Sequence, residues 1–327
     1  MGQAGKRAGR QMESGGDELK TLFTMQLLTP SDWKDYELID TGGLEKLERF
    51  GKYALARPEP QAVWEKSLPE TEWDRLAHAR YRRTRGIDPS KQEAGDKGDW
   101  KLKPGMPEQW MISYSYKGMH LKFRLGLTAF GHIGIFPEQA ANWNYIYDLL
   151  LESSVSLHAS RVLNLFAYTG GASLAARSAG ADVVHVDSVK PVVTWAKEDM
   201  EASGLNGIHW VVEDALKFVR REVKRGNLYN GIILDPPAYG RGPEGEKWIL
   251  QDSINEMVKL CSQLLDPEGG FFILSLYSMG FSALIADSLA KAHFGNIPGQ
   301  EYGELYFPDR SGKKLPLGTL LRFKKQV

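Results

Sequence analysis

The chain has 327 residues, room enough for two domains, and its 41 basic residues balance 41 acidic ones. A single cysteine, Cys261, excludes an intramolecular disulfide and fits a reducing compartment. The most apolar stretch, "GGFFILSLYSMGFSALIADSLA", is broken by Gly280 and several serines, which argues against a membrane span and for a soluble, cytoplasmic protein.

Residues 1–21 open with "MGQAGKRAGRQMESGGDELK", basic but without an apolar core region, so a disordered lead-in is expected rather than a secretory signal. A β-rich N-terminal domain is expected over residues 22–135. In "YELIDTGGLEKLERFGKYALARP" short runs are separated by Thr41-Gly42-Gly43 and by Gly51, which predicts a small meander. Pro69 to Gly86 reads as helical, and the polar "SKQEAGDKGDWKLKPG" reads as a loop. "WMISYSYKGMHLKFRLGLTAFGHIGIF" alternates about Lys117-Gly118, a two-residue hairpin signal. Two runs are basic, Arg75–Gly86 and Asp309–Lys325. Each is either a solvated face or a rim that contacts phosphate.

From Phe136 onward strands and helices alternate. Strands are expected at Arg161–Phe166, Asp182–Asp187, His209–Glu213, Tyr229–Asp235 and Gly270–Leu276. Helices are expected at Ala172–Ser178, Pro191–Ser203, Ala215–Arg225 and Trp248–Leu265. Runs such as "VVHVD" and "IILD" are continuously apolar, as in a parallel sheet covered by helices on both faces. After "FSALIADSLAKAHF" come "GQEYGELYF" and "LPLGTLLRF" with no helix between them, so they should pair antiparallel at the sheet edge. The fold class is therefore α/β, a doubly wound sheet over residues 136–327.

In such sheets ligands bind at the carboxyl ends of the strands. The first strand ends in "FAYTGGAS", whose Gly170 and Gly171 allow a tight turn into a helix; this is not G-x-G-x-x-G, so the dinucleotide fingerprint is not met. The second ends in "HVDS", where Asp187 with Ser188 is placed to hold the hydroxyls of a ribose. The third ends in "VVEDAL", where Asp214 is either a helix N-cap or an acceptor for an adenine amino group. The fourth ends in "ILDPPAYGRG", a buried strand that stops on a carboxylate and is then stiffened by two prolines.

These segments, "VLNLFAYTGGASLAA", "VVHVDSVKPVVTWAKEDMEASGL", "VVEDALKFV" and "GIILDPPAYG", resemble class I S-adenosylmethionine-dependent methyltransferases. More narrowly they resemble the bacterial branch that contains large-subunit ribosomal RNA methyltransferases, over about Gly131 to the C-terminus. The resemblance implies a seven-stranded sheet of order 3-2-1-4-5-7-6 with the last strand antiparallel, and S-adenosyl-L-methionine as cofactor. It implies Tyr168, Thr169 and Gly170 beside the methionine part, Asp187 at the ribose, and Asp214 with Ala215 at the adenine. Phe136 and Gln139, in "GHIGIFPEQ", would close over it. Asn164 departs from the acidic residue that many relatives carry there.

For an exocyclic amine acceptor, the Asp235 carboxylate and the Pro236 carbonyl could accept both N–H groups and turn the lone pair toward the methyl. Tyr239 could stack on a flipped base. In the best-defined amine methyltransferases the aromatic directly follows the second proline, whereas Ala238 intervenes here. Relatives that methylate carbon 5 of cytosine use a cysteine after the fifth strand, where this chain has "ILSLYSMG" and Tyr277. The expected acceptor is accordingly a nitrogen of an RNA base, in ribosomal RNA or its precursor, with no membrane partner. A small-molecule or protein acceptor, a non-catalytic RNA-binding relative and a nicotinamide enzyme remain open. The seven histidines show no ligand-like spacing, so no metal site is expected.

Overall fold

The computed structural model describes residues 25–30, 32–83, 97–153, 160–277 and 280–325. The lead-in expected over residues 1–21 lies outside them, as do residues 84–86 of the first basic run. Strand β1 (Gln26–Leu28) is followed by β2 (Tyr36–Gly42), β3 (Glu45–Phe50), β4 (Tyr53–Pro58), helix α1 (Glu70–Leu76), β5 (Ala79–Arg83) and β6 (Gly98–Leu102). Strands β2 to β6 form one sheet in chain order. Strands β7 (Gln109–Tyr116) and β8 (Met119–Gly126) pair as a hairpin around Lys117-Gly118, with Tyr116 opposite Met119.

Two expectations are corrected here. Helix does not persist from Pro69 to Gly86: α1 stops at Leu76, and β5 follows. In β5 the residues alternate, with Ala79 and Tyr81 buried and Arg82 exposed, a period of two rather than 3.6. The expected loop from Ser90 to Gly105 contains β6, which pairs antiparallel with β5. Gly98 belongs there because a Cβ would lie 2.3 Å from the Arg82 carbonyl oxygen.

The second half brings α2 (Ala140–Ser153), β9 (Arg161–Leu165), α3 (Gly171–Ser178), β10 (Asp182–Asp187), α4 (Lys190–Ala202), β11 (Ile208–Val212) and α5 (Ala215–Arg225). Then come β12 (Gly231–Leu234), the small hairpin β13 (Tyr239–Arg241) and β14 (Lys247–Ile249), α6 (Leu250–Leu264), β15 (Phe271–Leu276), α7 (Ala283–Phe294), β16 (Glu301–Pro308) and β17 (Lys314–Lys324). Trp248, expected in a helix, lies in β14. The main sheet runs β11-β10-β9-β12-β15-β17-β16-β1. It has eight strands, not the seven expected, because β1 pairs parallel with β16 and covers the edge that the terminal hairpin would expose. Only β17 opposes its neighbours β15 and β16.

The chain runs outward from β9 through β10 to β11, then returns to β12 on the other side of β9. The β9/β12 boundary is thus the switch point, with a crevice outside its carboxyl ends. The apolar core does not stop at residue 135. Trp143 of α2 packs on Trp33, Tyr114 and Phe123, with ring centroids 5.8, 5.6 and 5.2 Å away. Trp195 of α4 donates its indole N–H to the Arg124 carbonyl at 2.7 Å.

Three cations of the second basic run pair with carboxylates elsewhere in the fold. Arg310 pairs with Glu37 at 2.7 Å, Lys313 with Asp40 at 3.2 Å and Arg322 with Glu301 at 2.7 Å. Asp40, 1% exposed, is the hub of this seam. It accepts from the backbone N–H of Leu68 (2.9 Å) and Ser67 (3.2 Å), from the Trp73 indole (2.8 Å) and from Lys313. Burial alone would raise its pKa, but these donors win and hold it below the usual range. Asp40→Ala is expected to cost about 3–5 kcal/mol in urea unfolding at pH 7, because several buried donors lose their acceptor. For a depressed carboxylate the contribution is present above the unfolded pKa, near about 4, and is lost as pH falls through the folded value. The gap between mutant and wild type should therefore close below about pH 4.

Candidate active site

A pocket open to solvent sits at the switch point. Its walls come from the loop after β9, the stretch before α2, the first turn of α3, and Ile233 and Asp235 at the end of β12. The loop after β9 holds an unusual backbone. Phe166 (φ 55°) and Tyr168 (φ 50°) are non-glycine residues in the left-handed region, and Gly170 (φ 85°) follows. Its conformation is fixed from three sides. Asp187 accepts the Tyr168 backbone N–H at 2.9 Å, and the Thr169 hydroxyl donates to the Gly134 carbonyl at 2.6 Å. Gly171 lets α3 approach α2, since a Cβ there would lie 2.4 Å from the Trp143 ring.

Beneath the loop runs a buried polar chain that sequence reasoning touched only at Asn164. The Asn164 amide donates to Ser173 Oγ at 2.9 Å, and Ser173 Oγ lies 3.0 Å from His185 Nδ1. Burial lowers the His185 pKa to about 3, so it stays neutral under ordinary conditions. Asn164 lines the pocket, and with its nitrogen committed to Ser173, Oδ1 is the atom left to accept from a ligand.

Of the residues expected from the sequence, Phe136, Gln139, Tyr168, Thr169, Gly170 and Asp235 line this pocket together. The Phe136 and Tyr168 rings stand 5.3 Å apart. The others lie outside its wall. Asp187 and Ser188 are half-buried at the end of β10, and Asp187 is held by the N–H groups of Tyr168 and Val189, both at 2.9 Å. Burial raises its pKa, partly offset by those backbone donors. Asp214 is the N-cap of α5, accepting from the Lys217 N–H at 2.8 Å, with Ala215 buried beside it. Pro236 is buried, and the carbonyl of the next residue, Pro237, is taken by the Trp248 indole at 2.7 Å. Tyr239 is carried away from the pocket wall on the β13–β14 hairpin, half-buried, because Ala238 and Leu250 join backbone to backbone at 3.0 Å behind it.

Asp235 differs from the other acidic residues at the strand ends. No donor among the described residues reaches its carboxylate, and enclosure alone raises its pKa to about 7. A second group, missed in the sequence, stands nearby. Glu138, in the 3-10 turn Pro137–Gln139, is only 7% exposed. Burial, with Glu48 and Asp235 adding to it against Lys46, raises its pKa to about 7. The signal was faint, since "FPEQ" shows only Pro137 opening a turn while Glu138's charged neighbours lie far away in the chain.

Cys261 is fully buried on α6, and burial pushes its thiol pKa up. A thiolate nucleophile is disfavoured there. Cys261→Ala is expected to cost roughly 1 kcal/mol of stability from the small cavity, as read by urea unfolding. Among the described residues no group of His, Cys, Asp and Glu could hold a metal ion, and no helix is long and apolar enough to cross a membrane.

A family model described as conserved hypothetical protein 95 matches residues 140–261. Ribosomal RNA large subunit methyltransferase K/L of Shewanella frigidimarina is 31% identical over 152 residues, which is 45% of this chain and 20% of that protein. Ribosomal RNA large subunit methyltransferase I of Photobacterium profundum is 32% identical over 147 residues, 42% of this chain and 36% of that protein. The chain thus spans well under half the length of these curated relatives. A solved methyltransferase-fold neighbour complexed with SAH has a TM-score of 0.62 at 20% identity, covering 88% of this chain and 75% of that one, which shows the fold alone. The crystal structure of the SAM-dependent methyltransferase from Agrobacterium tumefaciens is similar over nearly the whole length. Its TM-score is 0.79 at 34% identity, with 92% of this chain and 94% of that one covered. With that full-length likeness and a pocket at the β9/β12 switch point, the chain belongs to the class I S-adenosylmethionine-dependent methyltransferases.

Proposed function

We propose that this protein transfers the methyl group of S-adenosyl-L-methionine to a nitrogen of an RNA base, with ribosomal RNA or its precursor as the substrate. The observation that carries the reading is the Asp235 carboxylate, at the pocket wall and without a donor among the described residues. A half-buried carboxylate in the pocket wall with no donor from the described residues is costly to enclose, so its retention argues for a ligand that brings N–H groups to it. The rRNA methyltransferases among the relatives support the choice of polymer.

The pocket fits the cofactor. Asn164 Oδ1 and the loop from Tyr168 to Gly170 would meet its methionine part, with Phe136 and Gln139 closing over it. Asp187 with Ser188 would hold the ribose, and Asp214 with Ala215 the adenine end. When bound, the cofactor supplies an already activated methyl, so the chain's main task is to position the acceptor in line. The Asp235 carboxylate, with the Pro236 carbonyl, accepts N–H bonds from the amine and aims its lone pair. Tyr239, on its hairpin, would stack on the base after the hairpin moves toward the pocket. The buried Cys261 favours nitrogen over cysteine-dependent carbon 5 chemistry.

In the family numbering we read the inner strands, β11 to β16, as the order 3-2-1-4-5-7-6, with β1 as an addition. We read residues 22–135 as a β-rich module that helps to grip the polymer, and residues 136–327 as the transfer module, working in the cytoplasm. Exposed Arg82, Arg83, Lys97 and Lys101 on and beside β5 and β6 supply the local positive potential that phosphate contact needs. Incubation with methyl-labelled cofactor and either RNA or small-molecule pools tests the reading. Label in RNA, weakened steeply by salt, is expected; label confined to small molecules overturns it.

A further inference from the structure

The turn between β8 and Phe136 is firmly held, yet it exposes two rings. The Thr128 hydroxyl donates to the His132 carbonyl at 2.7 Å, and the Gly131 N–H donates to the Thr128 carbonyl at 3.1 Å, which closes the turn. Strands β5 and β6 then grip its tip. The Trp100 indole donates to the Thr128 carbonyl at 2.8 Å, and the Ala129 carbonyl accepts from the Tyr81 hydroxyl (2.9 Å) and the Gly98 N–H (2.8 Å). Arg57 Nη1 donates to the Gly131 carbonyl at 3.1 Å. Gly131 permits this close approach: its φ is 76°, and a Cβ would lie 2.9 Å from the Tyr81 ring.

On this fixed backbone Phe130 is 49% exposed, and His132 is exposed as well. His132 stands edge-on to two rings of the pocket wall without entering that wall itself. Its centroid lies 5.5 Å from that of Phe136 and 6.5 Å from that of Tyr168. Among the described residues no hydrogen bond reaches its imidazole. An aromatic surface therefore leaves the pocket mouth through His132 and reaches Phe130 at the tip of the turn. Arg83 lies two residues beyond Tyr81 on the same face of β5, opposite Gly98, which has no side chain to cover it. On and beside this strand pair the exposed cations Arg82, Arg83, Lys97 and Lys101 outnumber Asp99, the one exposed acid among the described residues there. Separate exposed rings bordered by cations suit the bases and phosphates of a single strand, whereas a protein partner would call for a contiguous apolar patch.

We propose that His132 and Phe130 form a stacking ledge at the mouth of the pocket, on which bases flanking the acceptor lie while Arg83 takes a phosphate between them. This rests on RNA as the substrate, argued above. The ledge holds the strand beside the pocket while the acceptor base turns in toward Asp235. Its backbone is already fixed, so little ordering remains to be done on binding. Every base has a face to offer a ring, so the ledge adds affinity without choosing sequence.

Fluorescence anisotropy in the presence of S-adenosylhomocysteine, with an oligoadenylate of about 12 nucleotides and an abasic oligomer of the same length, tests the ledge. Wild type should bind the oligoadenylate at least about 10-fold more tightly than the abasic chain. The double variant Phe130→Ala, His132→Ala should lose that preference, with its salt slope, its S-adenosylhomocysteine affinity by calorimetry and its Tm little changed. With ribosomal RNA its KM should rise by about 10-fold while kcat at saturating RNA stays within about threefold. His132→Phe keeps a ring and should bind the oligoadenylate within about threefold of wild type. Arg83→Gln should weaken both oligomers alike and reduce the salt slope by about one. The ledge is overturned by a double variant that keeps the preference or the wild-type KM, or that loses cofactor affinity or folding. It is equally overturned if His132→Phe binds as weakly as His132→Ala. Label confined to small molecules in the incubation described above instead overturns the function on which the ledge rests.

Discussion

Asp235→Asn is expected to lower kcat for methyl transfer by at least about 100-fold while leaving S-adenosylhomocysteine binding within about threefold. The carboxylate is the strongest acceptor at the β12 end, and asparagine offers one oxygen and a competing NH₂ donor in its place. The same substitution should stabilise the protein. Enclosure raises the pKa of Asp235 from the usual carboxylate range to about 7, so the folded state holds the proton more tightly than the unfolded one. For a raised carboxylate, stability is fully present below the unfolded pKa and is lost as pH rises through the folded value. Wild-type Tm should therefore fall between about pH 4 and pH 7, and the Asn variant should fall less and melt higher at pH 8. A variant that is both slower and more stable is the signature of a group kept for function. A Tm loss at pH 8 would mean that Asp235 is structural.

Asp187→Ala is the second large effect, and it acts on the cofactor. Asp187 accepts the N–H groups of Tyr168 and Val189, so it ties the loop after β9 to the start of α4. Removing it leaves two donors without an acceptor and releases a loop whose Phe166 and Tyr168 are held at positive φ. Cofactor affinity measured by calorimetry should fall by about 100-fold or more, because the ribose acceptor and the loop geometry are lost together. The conservative Asp187→Asn variant should recover part of that loss. Equal affinity in wild type and Ala variant would remove Asp187 from the site.

The second half of the fold was legible for physical reasons that can be named. β10 and β12 are continuous apolar runs because both faces are covered, and α5 has a capping Asp214 at one end and Gly226 at φ 68° at the other. These signals are local, and so they survive in a single sequence. Helix α2 carries no such punctuation: it is entered through a 3-10 turn and ends without a glycine, and it was not foreseen. β1 takes its register from Gly303 to Leu305, nearly three hundred residues away, which no local pattern can report. β5 and β6 were hidden for the opposite reason, since charged residues on their outer faces masked the alternation.

The site divides along the same line. Tyr168, Thr169, Gly170 and Asp235 sit in motifs whose residues are adjacent in sequence, and they come together in one pocket. The place of Tyr239 depended on a hairpin that the sequence did not announce. Glu138 acquires its character from burial first, and then from Lys46, Glu48 and Asp235, all of which depend on folding. Part of the second basic run joins a seam, because Arg310, Lys313 and Arg322 meet Glu37, Asp40 and Glu301, which lie far away in the chain or across a strand pair.

The central claim is that this pocket methylates a base nitrogen under the control of Asp235. The most direct measurement is nucleoside mass spectrometry of ribosomal RNA after incubation with deuteromethyl-labelled S-adenosylmethionine, comparing wild type with Asp235→Asn. The account predicts one labelled nucleoside carrying the methyl on nitrogen, nearly absent with the variant. Label on carbon 5 of cytosine, or label undiminished with the variant, would contradict it.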